Sequence, residues 1–255
     1  MKKLFIASLV IVLALIGFGC GGGNGGGSAP STPSPISNES ASGFWNGYFY
    51  SDVLKQTFIV SGGVTENNEL RVYSPTWGGQ YVGNCAVSGN SFTGTLNAYA
   101  PWGDFFVDGT KTGTVIVSGT VKTKISILGT YSGTGDNGTF ALTFDSVYLR
   151  PSSLPLISGN WLHGSPQLGS ISMTIDASGN ITGISSGGCV YSGNVSIINL
   201  SFNTYRVSID ISSCGTLNGN NSGLAMLDDT VKLNDTFVAS VSNPSEAFTA
   251  SFIRQ

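Results

Sequence analysis

Few residues of this 255-residue chain have the types and spacing that catalysis requires. The single histidine, His163, lies in a Gly/Pro-bent segment with no nearby carboxylate or nucleophile that would make it a general base. Two close carboxylate pairs, Asp104 with Asp108 and Asp228 with Asp229, have the residue types that cleave glycosides. Acidic side chains in solvated loops explain these pairs better. The sequence therefore predicts no catalytic residue and no enzyme.

Oxygen ligands of the kind that calcium prefers gather at Asp228, Asp229, Asn234 and Asp235. Their spacing lacks the regular pattern of a calcium loop. The cysteines form neither a Cys-x-x-Cys motif nor a cluster with the histidine, so a zinc site is not indicated either. We therefore predict no metal site and no cofactor.

Binding chemistry is more strongly indicated than catalysis, because aromatic residues crowd two Pro/Gly-bent segments, 73–81 and 99–106. We interpret both segments as loops. A flat ring with a hydrogen-bonding edge suits sugars and hydrophobic small molecules. The alternative is that these rings fold over a barrel end and complete its core. The candidate ligand-binding residues are Tyr73, Trp77, Tyr81, Tyr99, Trp102 and Phe105.

The N-terminus carries the remaining chemistry, in a pattern typical of secretory signal peptides. A basic start, with Lys2 and Lys3, precedes an apolar run from Leu4 to Phe18 and then Gly19-Cys20. This run is shorter than the roughly 20 apolar residues of a transmembrane helix. We predict a signal peptide over residues 1–19. An uncleaved anchor and ordinary secretion are the alternatives.

A cysteine at the cleavage point resembles the bacterial lipoprotein signal, in which that thiol is lipidated and becomes the new N-terminus. The resemblance departs from the family pattern at Gly17, where the family prefers leucine. It implies that Cys20 carries lipid and holds the protein on a membrane of the bacterial envelope. Gly21 lacks the aspartate that retains enteric lipoproteins in the inner membrane, which favours the outer membrane, on either its periplasmic or its surface face.

Composition indicates an all-β protein, since 40% of residues are apolar, only 10% are charged and 36 are glycine. Removal of residues 1–19 takes Lys2 and Lys3 from the 11 basic residues and leaves 14 acidic ones, so the net charge changes from −3 to −5. No basic block remains to attract a phosphate backbone, and nucleic-acid binding is disfavoured.

Three cysteines remain beyond the predicted lipid site: Cys85, Cys189 and Cys214. An oxidising compartment permits one bridge among them, and we predict Cys189–Cys214. It would close a loop of about 25 residues and stabilise the fold by roughly 3 kcal/mol. The alternative is three buried free thiols.

The chain after Cys20 divides into a tether and two copies of one pattern. Residues 20–41 are rich in Gly, Ser and Pro and cannot bury enough apolar surface to fold, which predicts a flexible linker. Ser-Gly-x-Trp stands at the start of each copy: at Ser42 in residues 42–153 and at Ser158 in residues 154–255. Each copy also contains Cys-x-x-Ser-Gly-Asn, and the cysteine lies 65 residues before an arginine in both. We predict two tandem domains of one fold.

Within each copy apolar and polar residues alternate, as in Ile171, Met173 and Ile175 with serine and threonine between them. A period of two indicates strands with one buried face. We expect about eight short strands per copy, joined by hairpins as an up-and-down antiparallel meander. Closure into a barrel would remove exposed edges, so we predict two tandem β-barrels. Two β-sandwiches are the alternative.

The ends of the two copies resemble the lipocalins and their relatives, the calycins. That family begins its first strand with Gly-x-Trp and places an arginine at the end of its last strand, packed across the indole at the closed end. The matching residues here are Trp45 with Arg150, and Trp161 with Arg254. The resemblance implies a structural role for these four residues.

These observations predict a lipid-anchored envelope protein that binds a small apolar or glycan ligand through the aromatic loops of its first barrel. The alternative is a non-enzymatic scaffold lipoprotein that docks a protein partner in the envelope. The two hypotheses differ in what they require of Trp77 and Trp102. Burial in a cavity of ligand size favours the first, and exposure on a flat surface favours the second.

Overall fold

A computed structural model describes residues 38–165 and 169–255. The predicted signal peptide, Cys20 and most of the predicted linker lie outside these residues. Strands dominate the described chain, with only short helical turns, which confirms the all-β prediction. In this part of the chain no helix is long and apolar enough to cross a bilayer.

The first eight strands form a closed antiparallel barrel in which each strand pairs with the next and the eighth pairs with the first. The strands are β1 (Gly43–Ser51), β2 (Gln56–Val64), β3 (Glu69–Tyr73), β4 (Gln80–Ser88), β5 (Ser91–Tyr99), β6 (Thr112–Lys122), β7 (Ser126–Gly133) and β8 (Asp136–Asp145). A 3-10 turn at Ser146–Leu149 and a one-turn helix α1 (Leu154–Ile157) connect this barrel to the second.

The second barrel repeats the same order and also closes on itself. Its strands are β9 (Gly159–Ser165), β10 (Gly169–Ile175), β11 (Asn180–Ser185), β12 (Val190–Ile197), β13 (Tyr205–Ser212), β14 (Gly219–Asp228), β15 (Thr236–Ser242) and β16 (Ala247–Arg254). A 3-10 turn at Gly215–Leu217 precedes β14. The prediction of two up-and-down barrels is confirmed, and the sandwich alternative is wrong.

Along the strands of both barrels, buried apolar side chains alternate with exposed polar ones, as the sequence pattern indicates. On β10 the side chains of Ile171, Met173 and Ile175 are buried, and those of Ser172 and Thr174 are exposed. Burying one face of every strand in a common interior supplies the apolar stabilisation, and closure leaves no unpaired edge.

Glycine permits the strong curvature of the first wall where β6 and β7 approach each other. Gly119 lies directly opposite Gly129 in the register of these strands. A Cβ atom added to Gly119 would lie 2.0 Å from the carbonyl oxygen of Leu128. Any larger residue would therefore force the two strands apart.

Charged side chains hold the two barrels against each other. Arg71 on β3 is only 6% exposed and donates hydrogen bonds to Glu69 at 3.1 Å and to the Ser242 hydroxyl of the second barrel at 3.2 Å. The other oxygen of Glu69 accepts a hydrogen bond from Arg206 on β13 at 2.5 Å. One carboxylate thus joins guanidinium groups of both barrels.

The connecting segment also packs on both barrels. The ring of Tyr148 stacks on Phe202 of the second barrel, with centroids 4.6 Å apart and planes 12° apart. Its hydroxyl donates to Glu66 of the first barrel at 3.0 Å, and its carbonyl accepts from the Asn203 amide at 3.0 Å. These contacts place the barrels side by side in one compact unit.

The shared Cys-x-x-Ser-Gly-Asn motif does not mark equivalent positions in the two barrels. In the first barrel it runs through the end of β4 into the turn before β5, whereas in the second it begins before β12 and continues along that strand. Cys85 lies inside β4, but Cys189 precedes β12. The two barrels are a tandem repeat, but a sequence alignment based on this motif would match the end of β4 with the start of β12.

Candidate functional site

The first barrel is closed at the end where the described chain begins. Trp45 is buried there, its indole nitrogen donates to the Ala41 carbonyl at 2.8 Å, and Phe144 meets its ring edge to face at 5.5 Å. The amide of Glu39 donates to the carbonyl of Gly89 at 2.8 Å. Residues 38–41, assigned to the linker by sequence, therefore lie against this end of the barrel.

The second barrel is closed by a similar tryptophan with a different partner. The indole of Trp161 donates to the Ile157 carbonyl at 2.9 Å, and the Arg254 guanidinium lies over its ring, 4.2 Å from the centroid. Arg254 also donates to the carbonyls of Ser158, at 2.8 Å, and Leu156. It therefore satisfies backbone groups of α1 and the residue after it while covering the indole.

Arg150 does not occupy the corresponding place in the first barrel, contrary to the interpretation of the sequence. In the strand register Arg254 pairs with Trp161, and the residue that pairs with Trp45 is Phe144. Arg150 lies beyond the last strand of its barrel and makes a two-pronged contact with Asp229 of the second barrel, at 2.6 and 2.8 Å. The first barrel thus uses an aromatic pair where the second uses arginine on tryptophan.

The opposite end of the first barrel is its mouth, formed by the four loops 52–55, 74–79, 100–111 and 134–135. The loops carry large apolar side chains that face solvent, among them Trp102 at 69% exposure and Phe105 at 53%. Trp77 folds inward instead and meets Phe106 edge to face at 5.3 Å. The mouth therefore has an apolar rim as well as an apolar interior.

A cavity of about 680 Å³ extends from this mouth to Trp45. It lies within the 300–1,000 Å³ typical of small-molecule sites, and protein interiors otherwise contain few voids larger than a water molecule. Aromatic rings form much of its upper wall: Phe49 stacks on Phe58 at 4.9 Å and meets Tyr131 edge to face at 5.4 Å. Aliphatic residues form the rest of the wall: Val60, Val64, Leu70, Leu96, Val115, Val117, Ile127 and Leu142.

Two tyrosines supply polar atoms to this wall. The hydroxyl of Tyr131 donates to Asp136 at 2.8 Å, and burial, together with this acceptor carboxylate, raises the pKa of Tyr131. The hydroxyl of Tyr81 has no hydrogen-bond partner among the described residues, and burial, together with the charge of Asp136, raises its pKa. Both hydroxyls therefore remain protonated at neutral pH. Tyr131 gives its single proton to Asp136, whereas the Tyr81 hydroxyl can donate to a ligand.

The structure brings together only some of the aromatic residues that the sequence suggested. Trp77, Tyr81 and Phe105 line the cavity. Tyr99 turns toward the second barrel, where its hydroxyl donates to the Asn243 carbonyl at 3.3 Å. Trp102 projects from the rim rather than into the cavity.

Tyr73 also lies away from the cavity, in the groove between the barrels beside Leu224 and Met226. It ends β3, Tyr81 belongs to β4 and Tyr99 ends β5, so half of the predicted loop residues lie on strands. The Pro/Gly-rich stretches are loops only between these positions.

Sequence reasoning missed most of the aromatic wall. Phe49, Phe58, Phe106, Tyr131 and Phe140 line the cavity but were not among the candidates. Phe106 lies in loop 100–111, and the other four lie on strands. The sequence signal for those four is an aromatic residue at an inward position of an alternating strand. Rings in Pro/Gly-bent segments are the more visible pattern, because they stand outside the strand alternation.

The second barrel has the same topology but a filled interior. Bulky side chains occupy its core, including Ile171, Ile175, Ile209, Tyr205 and Phe237. The interior of the first barrel also contains several valines, among them Val60, Val115 and Val117, but it encloses the open cavity described above.

The predicted disulfide Cys189–Cys214 is confirmed, with the two Cα atoms 4.8 Å apart. It joins the β11–β12 turn to the β13–β14 loop, at the end of the second barrel that corresponds to the mouth of the first. The adjoining 3-10 turn buries Leu217 in the core. Cys85 is a buried free thiol, and burial raises its pKa to about 11.

The polar residues considered for catalysis or metal binding have structural partners. His163 Nδ1 lies 2.8 Å from the Ser251 carbonyl, and Asp108 accepts from the Thr110 hydroxyl at 2.6 Å. Asp229 binds Arg150, as described above, and Asp235 accepts three hydrogen bonds from the backbone of its own loop. Among the described residues no group of three or more His, Cys, Asp or Glu side chains is arranged to hold a metal.

No protein-family model and no curated protein matches the chain. Among solved structures, a candidate outer membrane protein from Bacteroides fragilis is 12% identical with a TM-score of 0.29, and covers 84% of this chain and 97% of that one. Aeromonas veronii immune modulator A is 9% identical with a TM-score of 0.39, and covers 86% of this chain and 97% of that one. TM-scores this low transfer neither function nor ligand.

Proposed function

We propose that this protein is a non-enzymatic, lipid-anchored protein of the bacterial envelope, and that its first barrel binds a small apolar ligand. The cavity of about 680 Å³ with its open mouth is the observation that supports this proposal. The anchor is the lipid predicted on Cys20, and the outer membrane is the proposed location.

The chemistry of the wall favours an apolar body over a glycan. A sugar brings many hydroxyl groups, each of which must exchange water for a protein partner on entry. Toward the closed end the wall is formed by apolar side chains such as Val64, Phe92 and Ile127. An alkyl or aromatic body loses no hydrogen bond there and gains dispersion contacts and release of water.

The difference between the two barrels also supports a binding role. Both have the same strand order, yet the first encloses a cavity of about 680 Å³, whereas the second has its core packed with isoleucine, tyrosine and phenylalanine side chains. Filling the interior would have stabilised the first barrel as it does the second. A hollow that costs stability is most simply explained by a ligand that occupies it.

A second candidate function has its own supporting observation, the exposed apolar rim. Val53, Leu54, Trp102, Phe105 and Val107 are all more than 40% exposed on two of the four mouth loops. Exposed apolar side chains clustered in this way are typical of surfaces that bind another molecule. In this alternative the rim docks a protein partner in the envelope.

Binding can be tested with a fluorescent apolar probe, N-phenyl-1-naphthylamine, on the chain from residue 20 with Cys20→Ser, exported behind a cleavable signal and purified without detergent. We expect saturable binding of one probe per chain. Val115→Phe/Val117→Phe places two rings inside the cavity and should weaken probe binding at least about tenfold, or about 1.4 kcal/mol. These valines are 3% and 8% exposed.

Ile116→Phe is the matched control, because Ile116 lies between these valines on β6 but is 57% exposed on the outer face. It should bind the probe as the parent does. Absence of probe binding, or equal loss in both variants, would contradict a ligand site in the cavity. Retained docking of an envelope protein by a chain that binds no probe would support the second candidate.

A further inference from the structure

We propose that the ligand of the first barrel carries a hydrogen-bonding head group without negative charge, such as a hydroxyl or an amine, and that the cavity disfavours carboxylates. This inference rests on the proposed function and names the class of ligand for the same site. It follows from the charges on the wall, the free acceptor capacity of Asp136 and the unpartnered hydroxyl of Tyr81.

The cavity wall contains acidic groups and no basic one. Asp104 and Asp136 line it, and in the described part of the chain no lysine, arginine or histidine is among the lining residues. Lys111 lies outside on the rim, where its ammonium group is 5.4 Å from the centre of the Phe105 ring. A carboxylate drawn into the cavity would lose its water, find no cation and approach two charges of its own sign.

Asp136 has capacity for one further donor. Its Oδ1 accepts from the Ser51 hydroxyl and from the Asn137 amide, both at 2.8 Å, and its Oδ2 accepts from Tyr131 at 2.8 Å. A carboxylate offers about four acceptor positions. A hydroxyl or ammonium group of a ligand could therefore donate to Asp136 without breaking any of these bonds.

Tyr81 supplies a complementary group nearby. Its hydroxyl borders the cavity without a partner in the described chain, and Phe49 packs against both Tyr81, at 6.2 Å, and Tyr131, at 5.4 Å. A polar head above Phe49 would meet the Tyr81 hydroxyl on one side and the Tyr131–Asp136 pair on the other. The apolar body would then extend toward Trp45 at the closed end.

The effect of the head group can be measured with three ligands that share a ten-carbon chain: decan-1-ol, decylammonium and decanoate. Each is used to displace N-phenyl-1-naphthylamine from the cavity. We expect decanol and decylammonium to displace the probe at concentrations at least about tenfold below decanoate. Asp136→Asn removes the negative charge and should reduce the difference in displacing concentration between decanoate and the other two ligands. Tyr81→Phe should weaken the binding of decanol about fivefold more than it weakens the binding of the probe.

Tyr48→Phe is the control for the tyrosine, because Tyr48 lies on β1 with its ring on the outer face. It should change nothing. If decanoate competes as well as decanol in the parent, the head-group proposal is wrong while the cavity remains a ligand site. If the probe itself does not bind, the proposed function fails and the head-group proposal fails with it.

Discussion

The indole nitrogen of Trp77 donates a hydrogen bond to Oδ2 of Asp104 at 2.8 Å. This bond joins loop 74–79 to loop 100–111, across the mouth of the cavity. Trp77 lines the cavity on one face, so the bond also fixes one wall of the entrance. The two loops are therefore coupled through a side chain that a bound ligand would touch.

Loss of this bond should accelerate ligand release. Asp104→Ala removes the acceptor of this bond. Because an ordinary hydrogen bond contributes about 1 kcal/mol, the dissociation rate of the probe should rise about fivefold. Stopped-flow dilution measures this rate. Asp108→Ala in the same loop is the control, since Asp108 binds Thr110 within its own loop. Equal rates in the two variants would show that the Trp77 bond does not restrain the mouth.

The disulfide should stabilise the second barrel and leave binding unaffected. Cys189→Ser/Cys214→Ser opens a loop with a sequence separation of 25 residues. The expected loss is about 3 kcal/mol, measured by urea unfolding. Cys85→Ala, at the buried free thiol, is the comparison variant. Since the bridge lies outside the first barrel, probe affinity should be unchanged, and an affinity that falls with the bridge would contradict this separation of roles.

The carboxylate between the barrels should couple their unfolding. Glu69→Gln removes the charge shared by Arg71 and Arg206 and leaves the buried Arg71 without its ionic partner. We expect a loss of about 2 kcal/mol. Calorimetry should show two separated transitions in place of one. Asp210→Asn, on the exposed face of β13, should melt as the parent does. A single unshifted transition in Glu69→Gln would show that other contacts hold the barrels together.

Asp235 should make its loop sensitive to acid. Its carboxylate accepts from the amides of Thr230 at 2.7 Å, Val231 at 2.8 Å and Lys232 at 2.7 Å, and these bonds lower its pKa to about 2. Because this pKa is lower in the folded state, the ionised carboxylate stabilises the fold at pH values above the ordinary aspartate pKa of about 3.9. That stabilisation is lost as the pH falls toward 2.

The difference in unfolding free energy between the parent and Asp235→Asn should accordingly be largest at pH 5 and vanish near pH 2. Urea unfolding at several pH values measures it, and carboxyl NMR gives the titration directly. A difference that stays constant from pH 5 to pH 2 would show that the Asp235 charge is not the stabilising feature.

Local patterns were sufficient to predict the strands, and they failed where distant parts of the chain meet. Trp45 and Trp161 are each the third residue of a first strand, as the repeated Gly-x-Trp indicates. Alternation, however, does not show which outer face of a barrel meets the other barrel. Tyr99 was therefore interpreted as a ligand contact although it faces the second barrel.

The cavity itself depends on side-chain volume, which a binary apolar pattern does not register. Val115 and Val117 alternate with polar and exposed residues in the same way as Ile209 and Ile211. Whether the interior of a barrel is open or filled depends on how all of its inward side chains pack together, and the alternating pattern does not record this packing.

The amide of Ser40 donates to the Thr123 hydroxyl, and the side chain of Asn38 accepts from the amide of Gly89. Both partners lie in turns at the end of the barrel opposite the mouth. A mechanical load applied through the N-terminal segment would therefore be carried by the turns β4–β5 and β6–β7. The four mouth loops would remain unstrained. The protein could therefore be held at the closed end of the first barrel while a ligand enters or leaves at the mouth.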